Sequence, residues 1–478
     1  MSMRSTKSFI CAVCVVAGLG TVAVASSPAA KLEARVDARV EVMSLAFRLA
    51  GNPEYNQPLS KSPYSQEVEE HFGTFRDHPV VSLAKRLRQE HGVSFDAVMS
   101  LAVHLDAQDL ALRVPLDPRP ANLDERWQAG DVREFLEQLH KFVAQTGFRD
   151  FLARHQQLYD AAAEHMTEQL NQRDYVGWFD RFFGERPRAK FSVIVSLLNG
   201  PCNYGVRVSL PDGGEEIISI IGAEEFDADG IPAFGAGNVP TIVHEFCHSY
   251  VNPLVDQHAP QLQPAAERIF AHCATTMREQ AYGTWQTMMR ESLVRACVVR
   301  YLYSTEGADA ARRQEQKEEQ RGFRWVGELA KTIGAYEAER ERYASFEEFM
   351  PRVVEFFDQY ADRYERQMQE QARNAPKVIR MIPDNGAADV DPEIKEIRVY
   401  FDRPMKAGGW AVVGGGEHYP ETPGKPRYED GGTVFVLPVR LKPGWSYHFW
   451  LNRGRYDSFR SEAGVPLPSV EVNFKTRQ

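Results

Sequence analysis

The pattern H-E-x-x-H occurs once in this chain, at His244, Glu245 and His248. An α-helix repeats every 3.6 residues, so side chains four apart share a face. A helix over residues 241–253 would therefore aim both imidazoles at one point, suited to two corners of a tetrahedral Zn²⁺ site. Glu245 would lie about 100° round the axis, within reach of a water at that point without ligating the metal. Thr241, Ile242, Val243, Phe246, Tyr250 and Val251 make the rest of the segment mostly apolar, and Pro253 is expected to bound it. Two histidines and a glutamate buried in such a helix are costly without a partner, and a metal ion is one.

A catalytic zinc site takes three protein ligands and keeps a further position for water. One known pattern needs glycine and histidine three and six residues after the second histidine. Val251 and Leu254 stand there, which excludes it. The third ligand is then expected from an acid downstream, and two candidates stand out. Glu267 lies 19 residues after His248, among Gln261, Gln263 and Arg268. Glu291 lies on an otherwise apolar helical run that starts at Trp285, where an unpaired carboxylate is costly, and is preferred. The competing explanation is an ion pair between Glu291 and Arg295, one helical turn on.

The formal charge is −10, with no long basic cluster, so neither nucleic acid nor an anionic membrane is expected as a partner. Arg4 and Lys7 precede an uncharged apolar run over residues 9–24, and Ala23-Val24-Ala25 offers a cleavage site. Residues 1–25 are accordingly read as a secretory signal peptide, and the mature chain as periplasmic or extracellular with no membrane span. Cleavage leaves Cys202, Cys247, Cys273 and Cys297, too few for a disulfide-built scaffold. Cys247 falls between the two histidines, but a helix turns it off their face.

The expected fold class is α+β. Residues 26–190 carry helical periodicity almost throughout, beginning with Val36, Val40, Met43, Phe47 and Ala50. Strands are expected over 191–198, 203–210 and 216–221, separated by Asn199-Gly200-Pro201 and Pro211-Asp212-Gly213-Gly214. Such a small sheet offers an edge to an extended peptide, and Asn203, Tyr204 and Gly205 open the candidate edge strand. Helical patterns return over 264–280, 285–303 and 346–373, while the charged stretch 306–321 is read as a solvated helix or loop. Past Ala375-Pro376, strands over 394–401, 433–437, 447–451 and 470–474 suggest a β-sandwich. The expected division is a mainly helical region over 26–375, with a catalytic core at about 190–300, and a sandwich over 376–478.

The phrase H-E-F-C-H-S-Y-V-N-P at 244–253, with E-S-L-V-R-A at 291–296, resembles a family of exported bacterial proteins known as a domain of unknown function. That family is regarded as zinc metallopeptidases of the gluzincin type, with a zincin-like fold, and the likeness spans about residues 35–370. The surroundings of Glu291 are similar to the W-x-x-E-G-x-A ligand helix of such peptidases. The resemblance implies His244, His248 and Glu291 as Zn²⁺ ligands and Glu245 as general base. It implies Asn252 and Arg295, each one turn beyond a ligand, as supports for those ligands. Residues 377–478, with P-D-N-G-A-A-D-V-D-P at 383–392, resemble a bacterial Ig-like domain of surface proteins, which implies contact with the cell envelope. The expected activity is zinc-dependent hydrolysis of a peptide or protein substrate, with the oxyanion donor among Tyr204, His272, Tyr301 and Tyr343. Two alternatives stay open: an envelope binding protein with a non-catalytic metal, and a zinc hydrolase of a cell-wall amide.

Overall fold

A three-residue strand, β1 (Ala34–Val36), stands where the periodicity predicts helix. Three residues hold too little pattern to announce themselves. The strand forms because it pairs in parallel with Val193, Ile194 and Val195, far along the chain. Asp37 then starts α1 (Ala38–Leu49) by accepting a hydrogen bond from the Arg39 N–H at 3.0 Å. The computed structural model describes residues 31–57, 62–454 and 456–478, so the expected signal peptide lies outside the described residues.

Seven helices follow: α2 (Pro63–Phe72), α3 (Pro79–His91), α4 (Asp96–Val103), α5 (Ala129–Thr146), α6 (Phe148–Arg154), α7 (Gln156–Leu170) and α8 (Tyr175–Phe183). With α1 they bury Phe47, Phe72, Phe135 and Phe142 in one core, which also takes in Trp127 from the loop before α5. The three strands expected next are present as β2 (Ala189–Ser196), β3 (Tyr204–Ser209) and β4 (Glu215–Gly222). The sheet order is β1-β2-β4-β3, with β1, β2 and β4 parallel and β3 antiparallel to β4. β3 is thus an edge strand.

The motif lies on α9 (Val239–Gln257), which does not stop at Pro253. Proline has no N–H to give the carbonyl four residues back, here that of Ser249. Arg207 on β3 supplies the missing donor, its Nη1 lying 3.3 Å from the Ser249 oxygen, and the helix runs on to Gln257. Five more helices complete this region: α10 (Ala259–Arg278), α11 (Trp285–Glu306), α12 (Ala308–Gln320), α13 (Val326–Ala338) and α14 (Phe346–Asn374). The charged stretch expected to be solvated is so on one face only, because α12 turns Ala310, Ala311, Gln314 and Glu318 inward.

The chain then turns to strands: β5 (Val378–Ile382), β6 (Glu396–Phe401), β7 (Val412–Val413), β8 (Arg427–Glu429), β9 (Val434–Pro438), β10 (Ser446–Leu451) and β11 (Val470–Lys475). They form antiparallel sheets of order β5-β6-β9-β8 and β11-β10-β7. Phe401 and Phe435 from the first meet Phe449 and Val472 from the second in a core separate from the helical one. The whole is of the α+β class. Among the described residues no helix is long and apolar enough to cross a membrane.

Candidate metal centre

α9 and α11 pack side by side, and His244, His248 and Glu291 meet between them. His244 Nε2 lies 3.5 Å from Glu291 Oε2, and His248 Nε2 lies 3.5 Å from Glu291 Oε1. Donor atoms on a tetrahedron with bonds of ~2.1 Å stand about 3.4 Å apart. The observed spacing therefore fits three ligands round a small ion, and it is long for a hydrogen bond. Burial holds His244 well below the usual imidazole range, more than offsetting the attraction of Glu291, and so keeps it in the neutral form that binds metal.

The surroundings orient each of these groups. Asn252 Oδ1 accepts from His248 Nδ1–H at 3.1 Å, which leaves the Nε2 lone pair turned to the meeting point. Arg295 Nη2 donates to Glu291 Oε2 at 2.8 Å. Burial opposes ionisation of Glu291, but His244, Arg295 and His248 outweigh it and hold the carboxyl down at about 2. Of these, Arg295 is the one whose charge does not depend on protonation of an imidazole. Arg295 Nη1 in turn bonds Glu318 Oε2 at 2.5 Å, and its guanidinium lies 4.5 Å from the Phe323 ring centre. The ion pair weighed against ligation is thus present together with the histidine contacts. One carboxylate oxygen serves Arg295 while both oxygens face the imidazoles.

Glu245 is buried beside the triad. Burial, and then Glu291, push its carboxyl well above the usual range, while Arg295 and the Gly205 N–H pull the other way. β3 reaches this close because residue 205 has no side chain. A Cβ there would lie 1.9 Å from the Glu245 carbonyl oxygen. The candidate edge strand therefore packs against the motif helix at Gly205. Cys247 is fully buried on the other side of α9, where it meets Cys297, and the four described cysteines are free thiols.

A cavity of about 450 Å³ reaches the centre at His244 and Glu245 and is lined as well by Asn203, Tyr282, Arg295 and Arg321 among others, with His248 and Glu291 set behind its wall. Glu267 takes no part in the triad. It is exposed and accepts from Gln263 Nε2 at 2.7 Å. The four residues expected to include an oxyanion donor do not line the cavity. Tyr301 stacks on Tyr175, Tyr343 packs on Phe349, His272 on Tyr364, and Tyr204 points its hydroxyl into the protein. Tyr282, which spacing does not single out, does line it. Its hydroxyl accepts from Arg295 Nη2 at 2.8 Å and keeps its own proton to donate. It follows Ala281, whose φ of 67° bends the loop between α10 and α11. Glu318 was also missed, although Ala310, Ala311, Gln314 and Glu318 recur at helical spacing and could have marked an inward face.

Residues 34–356 match the family model described as Domain of unknown function (DUF4932). The chain belongs to this family. The matched span contains the triad, Glu245, Tyr282, Arg295 and Glu318, so the whole centre lies within the DUF4932 unit and the two C-terminal sheets lie outside it. No curated protein matches the chain. A solved structure of the surface layer protein SbsC, domains 1–6, is similar at 14% identity and a TM-score of 0.16, over 53% of this chain and 35% of that one. A score that low carries no argument about fold or role.

Proposed function

We propose that this DUF4932 protein is a zinc-dependent metallopeptidase of the gluzincin type. The observation that carries the reading is the convergence of His244 Nε2, His248 Nε2 and the Glu291 carboxylate on one point beside Glu245, at the wall of an open cavity. Two imidazoles and one carboxylate form a catalytic Zn²⁺ ligand set, and the cavity leaves room for water and substrate. Bound there, Zn²⁺ would polarise the scissile carbonyl and acidify a water.

The residues of the chain do the rest. Glu245, its carboxyl raised by burial, takes the proton of the attacking water and delivers it to the leaving amine nitrogen. The Tyr282 hydroxyl, anchored on Arg295, donates to the carbonyl oxygen as charge builds there. The outer edge of β3 aligns an extended peptide across the centre. Asn252 and Arg295 hold His248 and Glu291 in their binding orientation. Residues 1–25 direct export, and the two C-terminal sheets act as an Ig-like module that contacts the cell envelope.

The test is cleavage of a mixed peptide library by the purified chain. Cleavage should stop with a chelator and return with added Zn²⁺, and Glu245→Gln should keep zinc but lose cleavage. Zinc without cleavage of any peptide would overturn the peptidase reading. A chain without zinc would overturn the metal centre as well.

A further inference from the structure

Arg321, one residue past the end of α12, lines the same cavity as His244, Glu245 and Arg295. A cation at a helix C-terminus is ordinary, because it answers the partial negative charge there. The surroundings of this one are not. Its side chain is 57% exposed, and its nearest carboxylate among the described residues is Glu318, with Oε2 at 3.9 Å. That oxygen is already bonded to Arg295 Nη1, and the other Glu318 oxygen accepts from Gln314 Nε2. Arg321 therefore brings five N–H donors to the cavity wall without a carboxylate committed to them.

Its base is fixed. The Arg321 carbonyl accepts from Gln280 Nε2 at 2.8 Å, and the next residue, Gly322, turns with a φ of 95° against Thr276. The remaining charged groups of the cavity place the cation further. Glu224 lies beyond β4 on the strand side, Glu245 lies in α9, and Arg295 and Glu318 lie on the helix side with Arg321. An anionic substrate group in this cavity meets its uncommitted cation at Arg321, since Arg295 is already bonded to Glu291 and Glu318.

We propose that Arg321 binds a carboxylate of the substrate, so that the site prefers peptides with an acidic side chain or a free C-terminal carboxylate near the scissile bond. This rests on the peptidase reading for its substrate class, but the carboxylate contact can be read without turnover. Blocked hexapeptides carrying one Glu at each position in turn, each with its Gln counterpart, and the same peptides as C-terminal acid and amide, distinguish the two sources.

Cleavage is measured with the zinc-loaded chain, and binding by calorimetry with zinc-loaded Glu245→Gln, each with and without Arg321→Ala, Arg321→Lys or Arg321→Glu. One charge-assisted hydrogen bond predicts a preference for acid over amide of about tenfold at one position. That preference should vanish in Arg321→Ala, persist in part in Arg321→Lys, and turn toward Lys-containing peptides in Arg321→Glu. Equal discrimination in wild type and Arg321→Ala overturns the proposal, as does a wild-type protein that binds neither form. If nothing is cleaved but acid-selective binding is present and depends on Arg321, the carboxylate site stands and the peptidase reading fails.

Discussion

Gly205→Ala probes the closest approach in the site. The added Cβ would lie 1.9 Å from the Glu245 carbonyl oxygen, 2.7 Å from its carbon and 3.0 Å from its Cα, where ordinary contact begins at 3.4 Å. All three atoms are helix backbone and cannot swing aside, so β3 and α9 must part by about 1.5 Å. Overpacking of this kind costs about 1–3 kcal/mol of stability. The larger effect is expected on chemistry, because in the proposed mechanism β3 aligns the substrate over Glu245, and a misplacement of ~1 Å can cost about 100-fold in rate. We expect kcat/KM to fall about 100-fold, equal to ~2.7 kcal/mol of transition-state stabilisation, while bound zinc is unchanged. Gly237→Ala is the control, because a Cβ there meets nothing within 4 Å. The assay is steady-state cleavage with bound zinc and thermal melting of all three proteins. A Gly205→Ala protein within about threefold of wild type in kcat/KM would refute the packing of β3 on Glu245.

Three further outcomes are expected. Tyr282→Phe should lower kcat by about 10²–10³ with little change in KM and none in bound zinc, since in the proposed mechanism it removes one donor to the developing oxyanion; a rise in KM alone would contradict that role. Asn252→Ala should weaken zinc affinity by about 10–100-fold in a competitive chelator titration, and unchanged affinity would mean that His248 needs no partner to stay oriented. Glu41 on α1 accepts from the Leu197 N–H at 3.0 Å, Ser196 Oγ at 3.2 Å and the Tyr64 hydroxyl at 3.0 Å, yet burial raises its carboxyl from 4.5 to about 7. The folded state then binds more protons than the unfolded one between those values, so stability falls as pH rises through that window and levels off above it. Relative to Glu41→Gln, urea titration of wild type should show a loss of about 3 kcal/mol between pH 4.5 and pH 8, and parallel profiles would exclude the effect.

How much of this was legible depended on how local the cause was. The strands β2, β3 and β4 carry their own periodicity, and the sequence pattern places them, and the start of the motif helix, within a residue or two. Glu291 was legible because a carboxylate on an apolar helix needs a partner, and the partners are there. β1 was not, since its three residues form a strand only by pairing with β2. The helix end expected at Pro253 failed for a similar reason, as the donor that rescues Ser249 comes from Arg207 on another element. Tyr282 and Glu318 enter the site through Arg295, a contact between separate helices and a loop that spacing along the chain does not encode.

The most direct test of the metal centre is the zinc content of purified protein after dialysis, measured for wild type, Glu291→Gln and Glu267→Gln, with circular dichroism to show that each is folded. The triad predicts one zinc per chain in wild type and in Glu267→Gln, and a folded Glu291→Gln that retains little or none. Full zinc in Glu291→Gln, or its loss in Glu267→Gln, would contradict the site.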